Sequence, residues 1–200
     1  MNSFLKYFIL CIFLVFAGVN SYSQNHVIDS LLNVLKTEKD DTTKVITLNL
    51  LSEKFWRINK YDSSLLFANR ADAWAEKFEY KKGVAQALAN IGTNYREQGD
   101  NSKALEYYFK SLAINLEIQN KSGIAINYIC IGLSYWSKGN YPQALDSLFK
   151  SLSMDQEIGN KNGIASNYCN IGNIYYQQGN LSKAIEYDFK SLEIFRELGY

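Results

Sequence analysis

The sequence predicts an all-α solenoid of antiparallel helix hairpins, and three observations lead to it. The first is a period of 40 residues. Residues 81–120, 121–160 and 161–200 stack without gaps, and the last two blocks share roughly 18 identities over about 40 positions. The second is a break near the middle of each block, at Gly99-Asp100, Gly139-Asn140 and Gly179-Asn180. Gly and Asn/Asp tolerate the left-handed backbone that ends one helix before the next begins. The third is apolar spacing on both sides of the break. Val84, Leu88, Ile91 and Tyr95 recur at helical intervals upstream, and Ala104, Leu105, Tyr108, Phe109 and Leu112 do so downstream.

Composition agrees with a helical array. Hydrophobic residues make up 47% of the chain and aromatics 14%, with 15 Tyr and a single Pro. Disordered chains have the opposite balance. The 21 basic and 20 acidic side chains argue against nucleic acid as a partner, because such binding calls for a basic stripe.

Residues 1–23 read differently from the rest. Lys6 is their only charge, Tyr7–Val19 is an apolar or small-residue run, and Ser21-Tyr22-Ser23 places small residues before Gln24. That layout predicts a cleaved secretory signal peptide, with an uncleaved membrane anchor as the alternative. The run is shorter than the ~20 residues that span a bilayer. Cys11 lacks the small residues of a lipoprotein cleavage motif. The expected location is exported, periplasmic or in the cell envelope. Losing Lys6 leaves 20 basic against 20 acidic residues in the mature chain.

Residues 24–40 are expected to form a capping helix, with periodicity over Val27–Thr37 and Asp29 or Ser30 as N-cap. Residues 41–80 are a degenerate first repeat. Ser52 stands in the Gly slot, Phe55 in the Tyr slot, Ser64 in the Ala slot, Ala71 in the small slot, and Asn59 replaces the turn glycine. Three regular repeats follow at 81–120, 121–160 and 161–200. Pro142 falls in the first turn of a second helix, where proline is tolerated. Glu106–Lys110, Asp146–Lys150 and Glu186–Lys190 are acid-to-base pairs four apart on exposed faces.

Gly92, Gly132 and Gly172 sit inside first helices, where Gly costs about 1 kcal/mol relative to Ala. A loss repeated three times points to a close crossing by the second helix. Ala104, Ala144 and Ala184 are its small partners, and Tyr95, Tyr135 and Tyr175 fill the space beside it.

In this order of residues the chain resembles the tetratricopeptide repeat (TPR). Leu88, Ile91-Gly92, Tyr95, Ala104, Tyr108 and Ser111 match the pattern. So do Tyr128, Ile131-Gly132, Tyr135, Ala144, Leu148 and Ser151, with Leu in place of an aromatic. Tyr168, Ile171-Gly172, Tyr175, Ala184 and Ser191 match in the last block, where Asp188 replaces an apolar residue. The usual TPR period is 34 residues, so six extra residues would lengthen the helices and their connection. The array stops in phase at Tyr200 with no polar capping helix, which suggests a fragment or an end covered by a partner.

The resemblance implies a scaffold whose first helices line a concave groove for a protein or peptide. It places Asn90, Arg96, Trp136, Asn170, Asn173 and Tyr176 in that groove. Trp56, Arg96, Trp136 and Tyr176 share one register position and could form a ladder of anchors, or lean on the neighbouring helix as core. Asn90 and Asn170 could bind an extended backbone or be simply hydrated. Ala89, Ile129 and Cys169 hold the slot where a carboxylate-clamping Lys would stand, so that ligand class is not expected. The chain also resembles the TPR input regions of bacterial histidine kinases and nucleotide cyclases. That alternative would place a membrane-anchored continuation after Tyr200.

No GxSxG, HExxH or P-loop is present, so neither an enzyme nor a cofactor is expected. His26 is alone and there is no CxxC, which argues against a metal site. Cys130 and Cys169 fall on adjacent first helices one residue out of register. Packed helix axes lie ~8–10 Å apart, too far for a disulfide, so two free thiols are expected.

Overall fold

The computed structural model describes residues 26–39 and 41–200. The leader expected at residues 1–23 lies outside them. The described residues form helices α1 (26–37), α2 (Thr42–Arg57), α3 (Tyr61–Lys77), α4 (Lys81–Glu97), α5 (Asn101–Glu117), α6 (Lys121–Ser137), α7 (Tyr141–Glu157), α8 (Lys161–Gln177) and α9 (Leu181–Glu197). No strand occurs among the described residues. The chain is an all-α solenoid in which α2–α3, α4–α5, α6–α7 and α8–α9 are the hairpins.

The 40-residue period resolves into two helices of 17 residues joined by three-residue turns. The length beyond the usual repeat therefore lies in the helices, and the connections stay short. Gly99, Gly139 and Gly179 hold the turns at φ 86°, 72° and 76°, and Asn59 does so in the first hairpin at φ 59°. Asp100 and Asn180 then cap the second helices by accepting from the backbone N–H of Lys103 (3.0 Å) and Lys183 (3.2 Å). Asp29 and Ser30 do not act as caps. The first helix is already formed at residue 26, so both lie within it.

Inside each hairpin the glycines mark the crossing. A Cβ on Gly92, Gly132 or Gly172 would stand 3.2, 3.2 or 3.3 Å from the carbonyl oxygen of Ala104, Ala144 or Ala184. Tyr108 and Leu148 close the other side at 2.9 and 3.0 Å. In the last hairpin Asp188 takes that place. The first hairpin solves the crossing with hydroxyls. Ser64 Oγ donates to the Ser52 carbonyl at 2.7 Å, both residues being fully buried.

A second fastening recurs at the small slot. Ser111, Ser151 and Ser191 donate their hydroxyls to the carbonyls of Ala85, Ala125 and Ala165, at 2.6, 3.0 and 2.8 Å. On the surface, Lys110–Glu106, Lys150–Asp146 and Lys190–Glu186 pair at 2.6, 2.7 and 2.6 Å. A further set ties helix starts to helix ends, joining Lys81 to Glu117, Lys121 to Glu157 (2.5 Å) and Lys161 to Glu197 (2.9 Å). All are exposed and contribute a few tenths of a kcal/mol each.

Neighbouring hairpins bury apolar faces against one another. Leu105, Tyr108 and Leu112 of α5 pack with Ile124 and Ile131 of α6. Leu148 and Leu152 of α7 pack with Ile171 and Ile174 of α8. At the N-terminal end, Ile28, Leu31, Leu32 and Leu35 of α1 cover Leu48, Leu51 and Phe67. The other end is open. Leu112 and Leu152 are 6% and 7% exposed, whereas their counterpart Leu192 is 50% exposed beside Ile185 and Phe189.

Polar side chains are buried between hairpins as well. Asn115 Nδ2 donates to Asn127 Oδ1 at 2.8 Å, and Asn120 Nδ2 donates to Asn115 Oδ1 at 2.7 Å. One repeat later Asp155 replaces Asn115. It accepts from Asn160 Nδ2 and Asn167 Nδ2, both at 2.8 Å, and Asn167 Oδ1 is left without a partner among the described residues. Burial pushes the Asp155 pKa up, against the bonds from Asn160, Asn167 and Ser151.

Two predictions follow from this packing. Gly132→Leu should lower stability by about 1–3 kcal/mol through overpacking at the crossing, read as a fall in Tm. An unchanged Tm would contradict the crossing. Asp155 has a raised folded pKa, so its favourable contribution is present in acid and is lost as pH rises through that pKa. Asp155→Asn should therefore raise Tm at neutral pH, with the gain shrinking as the carboxyl protonates. A lower Tm at neutral pH would show that the two accepted amide bonds outweigh the cost of burying the charge.

Candidate functional site

The first helices face inward. Besides packing within and between hairpins, α2 touches α4 and α4 touches α6, whereas the second helices make no comparable contact with one another among the described residues. A stack whose first helices crowd together curves toward them, so their free faces line the concave side.

A cleft of about 320 Å³ opens on this side between α2, α4 and α6. Ile46 and Leu50 of α2 form one wall, Gln86 and Ala89 of α4 the middle, and Ile126 of α6 the far wall. Ile46, Leu50 and Ile126 are exposed aliphatic residues, Ile126 by 48%. The floor is made of Gly83, Gly123 and buried amides. Gly123 leaves room for Asn115, whose Oδ1 would lie 2.3 Å from a Cβ there. The lining carries one acid, Glu53, and one base, Lys82, so its charges balance. Glu53 already pairs with Arg57 at 2.8 Å.

Most of the amides in this region are committed inward. Asn49 Nδ2 donates to the Gly83 carbonyl at 3.3 Å, and Asn127 Nδ2 donates to the Tyr108 carbonyl at 3.2 Å. Asn90, expected in the groove, bridges two hairpins. Its Nδ2 donates to Asn49 O at 3.2 Å and to Asn49 Oδ1 at 3.1 Å, and its Oδ1 accepts from Gln86 Nε2 at 3.1 Å. The junction thus engages the Asn90 amide nitrogen with two acceptors on Asn49. Gln86 is exposed and carries the outermost amide of this chain of bonds.

The remaining expected groove residues lie in the C-terminal halves of their helices. Arg96 is only 16% exposed at its side chain and bonds Glu97 at 2.8 Å. Burial acts to lower its pKa, but its neighbours Tyr108, Cys130 and Glu97 leave it raised. Trp136 is half-buried, packs in the α7–α8 core cluster, and donates from Nε1 to Gln177 Oε1 at 2.7 Å. Asn170 is half-buried. Asn173 is exposed and its amide lies 3.7 Å from Cys169 Sγ. Tyr176 is 65% exposed. Asn170, Asn173 and Tyr176 share α8, while Arg96 is paired with Glu97 on its own helix and Trp136 is bonded to Gln177 of α8.

Cys130 and Cys169 are free and half-buried. Burial pushes the Cys130 thiol up, more than Arg96 nearby lowers it, so it stays protonated at neutral pH. Among the described residues no helix is long and apolar enough to cross a membrane, and no cluster of three or more His, Cys, Asp and Glu is placed to hold a metal.

The cleft engages the N-terminal halves of α4 and α6, whereas Arg96, Trp136, Asn173 and Tyr176 stand toward the C-terminal ends of their helices. Ile46, Leu50 and Ile126 were not singled out, although one signal was available. Ile126 lies off the apolar stripe of Tyr128, Ile131 and Tyr135 that α6 buries, and Ile46 and Gln86 share its register position.

Two tetratricopeptide repeat family models match the chain, one over residues 87–122 and the other over residues 123–197. The matches abut and together span more than half of the 200 residues. The chain belongs to the tetratricopeptide repeat family. No curated protein sequence matches it. Among solved structures, a Rap protein complexed with competence and sporulation factor is 21% identical, with a TM-score of 0.78 over 90% of this chain and 53% of that one. BtubC from P. vanneervenii is 17% identical, with a TM-score of 0.69 over 86% and 71% of the two chains. MamA is 20% identical, with a TM-score of 0.60 over 90% and 93%. At these identities the likeness establishes the fold. The chain spans about half the length of the Rap protein it matches.

The ladder positions should separate on mutation. Trp136→Ala should lower Tm measurably, because it removes packing and a hydrogen bond between hairpins. Tyr176→Ala should leave Tm nearly unchanged, its effect on stability staying within about 0.5 kcal/mol as a surface change. Equal effects on Tm would show that the two side chains play the same role.

Proposed function

We propose that the chain is a non-catalytic interaction scaffold that holds a protein or peptide in the concave groove of its first helices. The cleft between α2, α4 and α6 is the observation that carries this reading. It joins exposed aliphatic walls to an exposed amide on a rigid frame, which is the composition of a recognition site. The structural neighbours that hold a competence and sporulation factor or a Phr* peptide are built on the same fold, which supports the reading. Asn170, Asn173 and Tyr176 extend the candidate surface along α8 toward the C-terminal end. The leader at residues 1–23 supports export, so the partner is sought in the cell envelope.

A second reading is that the array is the input region of a signalling protein. Ile185 and Leu192 of α9 are 56% and 50% exposed, where Leu105 and Leu112 of α5 and Leu152 of α7 are covered by the next hairpin, and this apolar face is one that a further element of such a protein would cover. A transmembrane helix and catalytic module encoded after Tyr200 would decide for that reading.

The test is capture from an envelope extract with immobilised wild-type chain and with Leu50→Asp. Wild type should retain a protein that Leu50→Asp loses while keeping its helical CD signal. Equal capture by both would remove the cleft from the account.

A further inference from the structure

The end of the stack carries a surface of a different kind from the cleft. Leu181, Ile185, Asp188, Leu192 and Phe195 recur along α9 at alternating spacings of four and three. That spacing puts them on one stripe, the pattern by which a helix meets another helix. Leu181, Ile185 and Leu192 are 57%, 56% and 50% exposed. Asp188 is the one polar residue of the stripe. Its register partners Tyr108 and Leu148 are fully buried, in the clusters that α6 and α8 complete. Asp188 is exposed and makes no hydrogen bond or ion pair among the described residues. The bases nearest it along α9 are engaged elsewhere. Lys190 pairs with Glu186 at 2.6 Å, and Lys183 lies over the Tyr175 ring at 4.8 Å.

A helix that docked on α9 as α6 docks on α5 would take Asp188 out of water. A buried carboxylate without a partner is strongly unfavourable, whereas an ammonium or guanidinium offsets that cost with charge-assisted hydrogen bonds. The same comparison sets two occupants aside. Within the chain, Asn115 and Asp155 accept or donate bonds of 2.8 Å with Asn127 and Asn167 of the next first helix, and Ile131 and Ile171 join the clusters of Tyr108 and Leu148. A further hairpin of this pattern would bring an amide to Phe195 and an isoleucine to Asp188. A second copy of the chain is no better matched. Its N-terminal end is already covered by Ile28, Leu31, Leu32 and Leu35 of α1. Its own α9, paired about a two-fold axis, would bring a second Asp188 to the first, because that residue lies at the middle of Leu181–Glu197.

We propose that the α9 stripe docks an amphipathic helix of a partner protein whose apolar face carries one Lys or Arg opposite Asp188. Aliphatic residues to either side of that base cover Ile185 and Leu192, and the base answers the carboxylate that the stripe leaves unpaired. The inference does not rest on the groove reading. Leu192→Asp and Leu50→Asp lie on separate surfaces, so the failure of one leaves the other standing.

A library of helices randomised on one face, displayed on a helical-bundle scaffold and selected on the full chain, tests this. Binders that Leu192→Asp abolishes should carry one Lys or Arg within an apolar stripe. Replacing that base by Leu should weaken binding at least about tenfold, because the Asp188 charge is then buried unpaired. Asp188→Leu should invert the order, so that the Leu version binds more tightly than the basic one. Leu192 and Asp188 are exposed, and a CD melt of each variant, or of the milder Leu192→Gln, separates lost binding from lost folding. Charge-free or acidic binders that hold wild type as tightly, a preference unmoved by Asp188→Leu, or no binder at this face would each overturn the proposal. So would sedimentation showing a wild-type dimer that Leu192→Asp dissolves, which would make a second copy the occupant.

Discussion

The structure depends on how closely the two helices of each hairpin approach one another. At Gly92, Gly132 and Gly172 the first helix passes within van der Waals reach of an Ala carbonyl on the second. Any larger residue at either position would push the helices apart. That approach lets Ser111, Ser151 and Ser191 reach back to backbone carbonyls on the first helix. A hairpin fastened at two levels is a rigid unit, and rigid units with equal geometry stack with a constant rotation. The inward curve of the first helices, and the cleft between α2, α4 and α6, follow from that stacking. The Ser52–Ser64 contact shows the same constraint met differently, with short polar side chains that bond each other in place of glycine and alanine.

Much of this was legible in the sequence, for reasons that lie in particular residues. A turn that needs positive φ selects Gly or Asn, so Gly99, Gly139, Gly179 and Asn59 announce the hairpins. A helix crossing that excludes Cβ selects Gly inside a helix, against propensity, and a fixed period makes such a choice visible three times over. Acid–base pairs four residues apart are local and could be read directly. The α1 cap was read in outline, but its start was not, because Asp29 and Ser30 look like caps whether or not a helix precedes them.

The candidate site was much less legible. Its walls come from three hairpins and meet only through the curvature of the stack, which no single repeat encodes. Arg96 and Trp136 carry side chains that dominate interfaces, yet here they are engaged by Glu97 and Gln177. Whether an aromatic faces solvent or the next helix depends on side-chain direction, which helical spacing leaves undetermined. The amide network was hidden for the same reason. Asn115, Asn127, Asp155 and Asn167 look like surface polar residues in the sequence, yet they are buried between hairpins. Their hydrogen bonds fix the register of neighbouring units where apolar contacts alone would allow sliding. Polar junctions between apolar hairpins give the array one geometry, and one geometry is what a preformed cleft requires.

Native-state hydrogen exchange on the whole chain tests the central claim, that hairpins are stabilised only by their immediate neighbours, most directly. The account predicts graded opening, with the amides of α4–α7 the most protected and those of α9, which has a neighbour on one side only, exchanging through an earlier sub-global opening. Uniform protection from α2 to α9, lost in a single all-or-none step, would mean that distant parts of the chain share one core, and would contradict the account.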